Sequence, residues 1–142
     1  MTFYLAIVGT SKALSDNEER DIRQKITSIL KSYIPIETTI ISGGAKGVDK
    51  IAFEIALQLG FAIKYYNPMI AEWEQDGVGY KQRNIEIAND CNELFCITTQ
   101  VHDMECYHHN PPANHQKTAG CYTLNLARCS GKKVTLYVTS SR

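Results

Sequence analysis

The sequence predicts an α/β protein, with a three-layer, Rossmann-like, doubly wound domain and a mainly parallel sheet of about five or more strands. Short β-branched apolar runs alternate with amphipathic helical segments along all 142 residues. The first apolar run lacks apolar–polar alternation, which is typical of a strand buried on both faces of a parallel sheet. Two strand-to-helix turns are also rich in glycine or hydroxyl residues, as expected where a ligand meets such a sheet.

The first strand and helix are predicted from residues 2–8 and residues 16–33. The strand is β-branched and aromatic, and it ends at Gly9. Ser15 and Glu18 have the spacing of a capping box, and isoleucines recur behind them at helical intervals. This strand should be central in the sheet.

The remaining elements continue the alternation of strand and helix. Each apolar run is followed by a turn signal and then by a segment with helical periodicity. The predicted strands cover residues 38–41, 62–66, 93–98 and 133–138, and the predicted helices cover residues 48–59, 80–89 and 120–130. Such an order specifies a parallel sheet with helices on both faces.

Length, composition and charge indicate how many domains the chain has and where the protein is expected to be located. The length suits one domain spanning residues 1–142. Lys plus Arg and Asp plus Glu each total 15, so the net charge gives no global attraction for nucleic acid or an anionic membrane. No segment reads as a signal peptide or a membrane span, and the five cysteines do not read as a disulfide framework. We therefore expect a cytoplasmic protein with reduced thiols and no membrane partner.

The turn after the second predicted strand is the strongest candidate for ligand binding. It reads Ser42-Gly43-Gly44-Ala45-Lys46-Gly47, with three glycines in six residues between a strand and a helix. Glycine lets backbone amides approach a phosphate closely, and the following helix adds unpaired amides and the positive end of its dipole. The alternative is a tight turn whose glycines serve only the backbone conformation. A second turn of this kind follows the first predicted strand, and the presence of both favours an anion site.

That second turn is Gly9-Thr10-Ser11, which brings two hydroxyls and further amides to the end of the first strand. Lys12 and Lys46 could add positive charge beside a phosphate, although loop lysines are commonly only solvated. Asp49 could cap the second helix or bind a ribose hydroxyl, and capping is the preferred interpretation.

The motif of residues 42–49, followed by Ala52 and Ala56, resembles the SLOG superfamily, which includes the DNA-processing Smf proteins and the Lonely Guy phosphoribohydrolases. The match is nearest to the Smf branch, whose members include DNA-processing protein A. Arg83 and Asn84 resemble the arginine-bearing helix of the superfamily. The resemblance spans nearly the whole chain.

A third block, with Gly120 and Thr123, resembles the last Gly-Thr turn of the superfamily. The resemblance implies a domain that binds nucleotides, nucleotide sugars or nucleic-acid phosphates at the turns around Gly9, Gly43 and Gly120. By its position, Arg83 would hold a phosphate with its guanidinium. Lonely Guy enzymes carry a catalytic Glu after this turn, and this chain does not, which argues against their usual hydrolysis.

A cluster of histidines and cysteines gives a separate prediction. Thiolates and imidazoles are preferred zinc ligands, and Cys106, His109, His115 and Cys121 could close a tetrahedral structural zinc site. The alternative is a polar loop over the ligand cleft, with Cys121 as a small buried residue. Spacing alone leaves both open.

Aromatic and acidic residues complete the candidates. Trp73, Tyr65 and Tyr80 could stack on a base, although aromatic residues near strand ends more often pack in the core or at its rim. Glu72 and Glu74 are weak candidates, together with Arg83, for a catalytic role, since they lie in an acidic segment on the presumed ligand face. An acidic surface loop is the simpler interpretation.

Three functions follow from these features. The leading hypothesis is a sensor or accessory module that binds a nucleotide-like small molecule through the glycine-rich turns. The first alternative is a nucleotide N-glycosidic-bond hydrolase. The second is single-stranded DNA binding as in Smf proteins, which zero net charge disfavours but a local basic patch would permit. A homodimer is expected by analogy with proteins of this fold.

Overall fold

The computed structural model describes residues 2–44, 46–66, 78–99 and 119–139. Strands and helices alternate along these ranges, with a single 3-10 turn at Pro35–Glu37. The strands are β1 (Phe3–Gly9), β2 (Thr38–Ser42), β3 (Ala62–Tyr65), β4 (Glu93–Thr99) and β5 (Lys133–Thr139). The helices are α1 (Asp16–Leu30), α2 (Val48–Gln58), α3 (Val78–Asp90) and α4 (Ala119–Cys129).

The strands in the described part of the chain form one parallel sheet of five, in the order β3-β2-β1-β4-β5. The strand β1 is central, as the sequence predicts, and Leu5 to Val8 are buried. It pairs with β2 through Leu5 and Ile40 and with β4 through Gly9 and Ile97. The predicted α/β architecture with a Rossmann-like parallel sheet is confirmed.

Helices cover both faces of the sheet, and each face has its own hydrophobic core. Successive residues of a strand point to opposite faces, so β1 contributes to both cores. Beneath α1 and α2 the principal buried residues are Leu5, Ile7, Ile22, Ile26, Leu30, Ile40, Val48, Ile51, Ile55 and Ile97. Beneath α3 and α4 they are Ala6, Val8, Ile41, Ile87, Leu94, Cys96, Cys121 and Leu124.

The capping box predicted for α1 is present. The Glu18 amide donates to Ser15 Oγ at 3.1 Å, and the Ser15 amide donates to Glu18 Oε1 at 2.9 Å. The helix ends at Leu30 rather than at Tyr33, which corrects the predicted end. Tyr33 instead stacks on Phe3 and donates its hydroxyl to Glu93. Those contacts to β1 and β4 draw the chain off the helical path.

The order of the elements places the candidate turns together. In a parallel sheet, the carboxyl ends of all strands meet at one edge, and each following helix begins there. The turns after β1 and β2 therefore lie at this edge, which we call the carboxyl edge. The first turn of α4, where Gly120 is buried, lies at the same edge.

Candidate functional site

The turns after β1 and β2 are in direct backbone contact. The Val48 amide at the start of α2 donates to the carbonyl oxygen of Thr10 at 3.0 Å. A Cβ placed on Gly47 would lie 2.3 Å from that same oxygen. Gly47 has φ of +76° and immediately precedes α2. Only glycine fits here, because both its conformation and the approach of the other turn exclude a side chain.

Gly9 lets β1 and β4 approach each other at the carboxyl edge. A Cβ on Gly9 would lie 2.0 Å from the carbonyl oxygen of Ile97, to which the Thr10 amide donates at 3.1 Å. Thr10 is fully buried, and its Oγ1 accepts a hydrogen bond from the Lys12 amide at 3.3 Å. Ser11 is exposed beside it. The Gly9-Thr10-Ser11 turn is thus fixed by backbone bonds.

The Ser42-Gly43-Gly44 turn is held by one local hydrogen bond. The buried Ser42 hydroxyl accepts from the Gly44 amide at 3.1 Å. Gly44 has φ of +71°, and a Cβ on it would lie 2.1 Å from the hydroxyl oxygen of Tyr65. The Tyr65 ring therefore rests directly against Gly44. Tyr65, which the sequence analysis names as a residue that could stack on a base, thus lies next to the glycine-rich turn.

Arg83 reaches the same turn from α3. It is 5% exposed, and its Nη1 donates to the carbonyl oxygen of Gly43. Its Nε donates to Asn84 Oδ1 at 2.9 Å, and Asn84 is buried as well. A Cβ on Gly43 would lie 2.7 Å from Arg83 Nη1. The guanidinium thus stabilises the turn through its hydrogen bond to the Gly43 carbonyl oxygen. A contact between Arg83 and a phosphate stays a prediction.

Several amides that the sequence assigns to a phosphate cradle bond within the protein. The amides of Thr10, Lys12, Gly44 and Val48 each donate to a protein oxygen. These bonds stabilise the turns in one conformation and reduce what the amides can offer to a ligand. Side chains beside the turns are a second source of positive charge for an anion at this edge.

Three further predicted ligand residues are buried at this edge. Asp49 is the second residue of α2 and is buried, whereas the position before the helix is Gly47 with no side-chain cap. The two roles that the sequence offers for Asp49, capping α2 and binding a ribose hydroxyl, both stay predictions. Gly120 and Thr123 are buried in the first turns of α4. Their part in ligand binding stays a prediction.

Lysines supply the accessible positive charge beside the two turns. Lys46 and Lys50 are exposed; Lys46 lies in the turn two residues before α2, and Lys50 lies in the first turn of that helix. In the part of the chain that the structure describes, neither pairs with a carboxylate. Lys12, by contrast, lies 3.5 Å from Glu18 Oε2, and Arg23 contacts Glu19 and Glu54. Among the described residues beside the two turns, Lys46 and Lys50 are thus exposed lysines without a carboxylate partner.

Two shallow pockets adjoin these lysines. One of about 470 Å³ lies between the turns, bounded by Ser11, Lys12, Lys46 and Gly47 among others. The other, of about 330 Å³, is lined by Gly44, Lys46, Lys50, Phe53, Glu54 and Tyr65. Sequence reasoning missed Lys50 and Phe53. The available signal was their spacing of three residues, which places Lys50 and Phe53 on one side of α2.

Other predicted residues lie outside the described ranges. These are Glu72, Trp73, Glu74 and three of the four predicted zinc ligands, Cys106, His109 and His115. The fourth, Cys121, is buried in α4. Across residues 2–44, 46–66, 78–99 and 119–139, no group of three or more potential ligands could hold a metal. The zinc site and the weak catalytic candidates stay predictions.

No helix within the described ranges is long and apolar enough to cross a membrane. Cys91 and Cys96 are free cysteines with buried side chains. Burial raises the pKa of the Cys91 thiol to about 11, which suppresses its reactive thiolate near neutral pH.

Taken together, the sheet order and the joined turns define a Rossmann-like domain with its candidate site at the carboxyl edge. The family model described as DNA recombination-mediator protein A matches residues 2–65, which include both turns. This match confirms the resemblance to the Smf branch of the SLOG superfamily. The comparison with curated proteins finds no match.

Solved structures support the same fold. DNA processing protein A from Streptococcus pneumoniae is 19% identical with a TM-score of 0.58, over 95% of this chain and 50% of that one. DNA processing protein A from Helicobacter pylori is 17% identical with a TM-score of 0.60, over 94% of this chain and 64% of that one. This chain therefore spans about half to two thirds of those proteins.

Proposed function

We propose that this domain binds single-stranded DNA at the carboxyl edge, with Lys46 and Lys50 contacting the phosphates. The match to the recombination-mediator family supports the proposal. So does the similar Helicobacter pylori protein, whose structure was described for its single-stranded DNA binding mode. These likenesses favour DNA over the nucleotide ligand that the sequence analysis prefers.

The exposed lysine pair beside the joined turns carries the proposal. Lys46 and Lys50 are exposed, and no described carboxylate neutralises them. Flexible ammonium groups suit a chain of phosphates whose positions vary along the strand. The internally bonded amides of Gly44 and Val48 are less suited to chelating one isolated phosphate. Zero net charge therefore does not exclude DNA, because the relevant charge is local.

The test is fluorescence anisotropy with a labelled thymidine oligonucleotide over a series of salt concentrations. Each phosphate neutralised on a single strand contributes about −0.7 to the slope of log affinity against log salt. The double variant Lys46→Ala/Lys50→Ala should weaken binding and make the slope shallower by about 1.4. The control is Lys31→Ala, since Lys31 is an exposed lysine just after α1, away from the two turns.

Equal affinity and equal slope in the wild type and the double variant would contradict the proposal. A preference for duplex of the same sequence would also contradict it, because the proposed contact is to an unpaired strand. Retained thermal unfolding in each variant shows that the comparison concerns binding and not folding.

A nucleotide-like small molecule remains the second candidate, favoured by the pocket of about 330 Å³ beside Gly44. That volume lies at the lower end of the range of about 300 to 1,000 Å³ for small-molecule sites. Nucleoside monophosphates, ADP-ribose and NAD should then raise the unfolding midpoint, since a ligand that binds only the folded state stabilises it. Release of free base from a monophosphate would indicate the hydrolase.

We also propose that the protein forms a homodimer, which light scattering at several protein concentrations would test by measuring the molar mass in solution. A mass of twice 16.0 kDa would support it, whereas a constant mass of 16.0 kDa would contradict it.

A further inference from the structure

The pocket lined by Phe53 and Tyr65 is placed to extend the binding site beyond the phosphates. It opens beside the Gly43-Gly44 turn, between the end of edge strand β3 and the exposed side of α2. Its walls are predominantly apolar. Lys46 and Lys50 stand at its rim. The pocket therefore combines apolar surface with adjacent positive charge.

Tyr65 is unusually exposed for a large aromatic side chain. It is the last residue of β3 and is 49% exposed. Its ring is held in place by Gly44, whose missing Cβ leaves room for the hydroxyl end of the tyrosine. Phe53 faces the same pocket from α2 and is partly buried. Two aromatic side chains thus present surface next to the turn.

The acidic residue at the pocket does not cancel the lysines. Glu54 lines the pocket, and its Oε1 lies 3.5 Å from Arg23 Nη2. Arg23 therefore balances this carboxylate, while Lys46 and Lys50 have no such partner among the described residues. A ligand that suits this arrangement has a flat apolar ring and an attached anion.

An unpaired nucleotide has that chemistry. A base can stack on an aromatic side chain while its phosphate meets an ammonium group, and stacking tolerates any base because each has a π-face. A base in a duplex is covered by its neighbours and is not available. An acidic peptide with an aromatic residue has a related chemistry, but the match to the recombination-mediator family favours the nucleotide.

We propose that the Phe53–Tyr65 pocket holds one unpaired base of the strand whose phosphates contact Lys46 and Lys50. This inference rests on the proposed function and assigns a second contact at the same edge. The pocket would contact a base, whereas the lysines would contact only the phosphates of the DNA backbone. The two contributions can be separated by removing one of them at a time.

The experiment compares two labelled oligomers of equal length and charge by fluorescence anisotropy: a thymidine oligomer and an oligomer of abasic sites. The wild type should bind the thymidine oligomer more tightly. Tyr65→Ala should lower affinity for the thymidine oligomer by roughly 5- to 150-fold, the range expected for one lost stacking contact. It should leave the affinity for the abasic oligomer nearly unchanged.

Two further variants make the result specific. Tyr65→Phe keeps the ring and should retain the preference for the thymidine oligomer. Ile36→Ala is a control, because Ile36 is an exposed apolar residue before β2, at the opposite end of that strand from the pocket. It should change neither affinity. An acidic peptide that displaces the thymidine oligomer from the wild type but not from Tyr65→Ala would overturn the assignment of the pocket to a base.

The outcomes distinguish this inference from the proposed function. If Tyr65→Ala binds the thymidine oligomer as tightly as the wild type, while the lysine double variant is weakened, the pocket assignment fails and DNA binding stands. If Tyr65→Ala weakens both oligomers equally, the ring supports the turn and does not stack on a base. If the wild type binds neither oligomer, both proposals fail.

Discussion

At the scale of single residues, Gly47 shows how one position fixes the geometry of the site. Its φ of +76° is unfavourable for other residues, and the Thr10 carbonyl leaves no room for a Cβ. Gly131 has a comparable φ of +80° but nothing within 4 Å of its Cβ position. Gly47 and Gly131 both need glycine for their positive φ, but only Gly47 also needs it because a neighbouring residue fills the Cβ position.

We therefore expect Gly47→Ala to lower the free energy of unfolding more than Gly131→Ala does. The backbone conformation alone should cost about 1 to 3 kcal/mol at either position, and the contact with Thr10 adds to the cost at Gly47 only. Urea unfolding followed by circular dichroism measures both. Equal losses would mean that the turn relaxes away from Thr10.

Arg83 is the second residue whose role can be tested by itself. Its buried guanidinium donates to the Gly43 carbonyl and to Asn84. Arg83→Ala should lower the free energy of unfolding by about 1.5 to 3 kcal/mol, since hydrogen bonds from a charged donor are lost and the Gly43 carbonyl loses its donor. Urea unfolding measures this loss.

The matched control for Arg83 is Arg20→Ala, in which an exposed arginine on α1 is removed. A surface change of this kind should stay within about 0.5 kcal/mol. Unchanged stability in Arg83→Ala, with weakened DNA binding, would assign the guanidinium to the ligand instead of the turn.

At the scale of elements, the capping box of α1 is the clearest local determinant. Ser15 and Glu18 satisfy each other's amides at the start of the helix. Ser15→Ala should cost about 1 kcal/mol of stability, because the amide of Glu18 loses its acceptor. Ser28→Ala, at an exposed position in the last turn of the same helix, should be neutral or slightly stabilising. Thermal and urea unfolding of both variants would test this.

The elements themselves were largely predictable from the sequence. Each strand and helix falls within one or two residues of its expected bounds except for the end of α1. Periodicity and turn residues carry that information locally. The end of α1 was missed because Tyr33 is held by Phe3 and Glu93, which are distant in sequence.

The site was predictable to a lesser degree, for the same reason. Glycine spacing identified the turns after β1 and β2, and strand order then brought them together. The hydrogen bond from Val48 to Thr10 and the one from Arg83 to Gly43 join segments far apart in the chain. No local pattern encodes such bonds, so the sequence could not reveal that these amides and this guanidinium are engaged by the protein.

At the scale of the whole molecule, the pKa shifts resolved for the described residues are all upward. Burial raises the pKa values of Tyr33, Tyr66, Cys91 and Tyr137, and hydrogen bonding to Tyr66 raises that of Lys64. Between pH 9 and 11 the folded state therefore holds more protons than the unfolded state. Stability must then fall as the pH rises through this window.

We expect the free energy of unfolding to be lower at pH 10 than at pH 8. Cys91, whose pKa is raised to about 11, should contribute about 1 kcal/mol of that loss. Cys91→Ala should therefore show a smaller difference between the two pH values, and Cys129→Ala, at an exposed thiol, is the matched control. Urea titrations at both pH values measure this. An undiminished difference in Cys91→Ala would contradict the assignment.

The hydrogen bond from Val48 to the Thr10 carbonyl has a consequence for how this edge can vary among related chains. Because the two turns share that bond and the close approach at Gly47, an insertion of one residue in either turn must displace both. A relative with a longer first turn would then need a compensating change in the second. The two segments should vary in length together or remain fixed together.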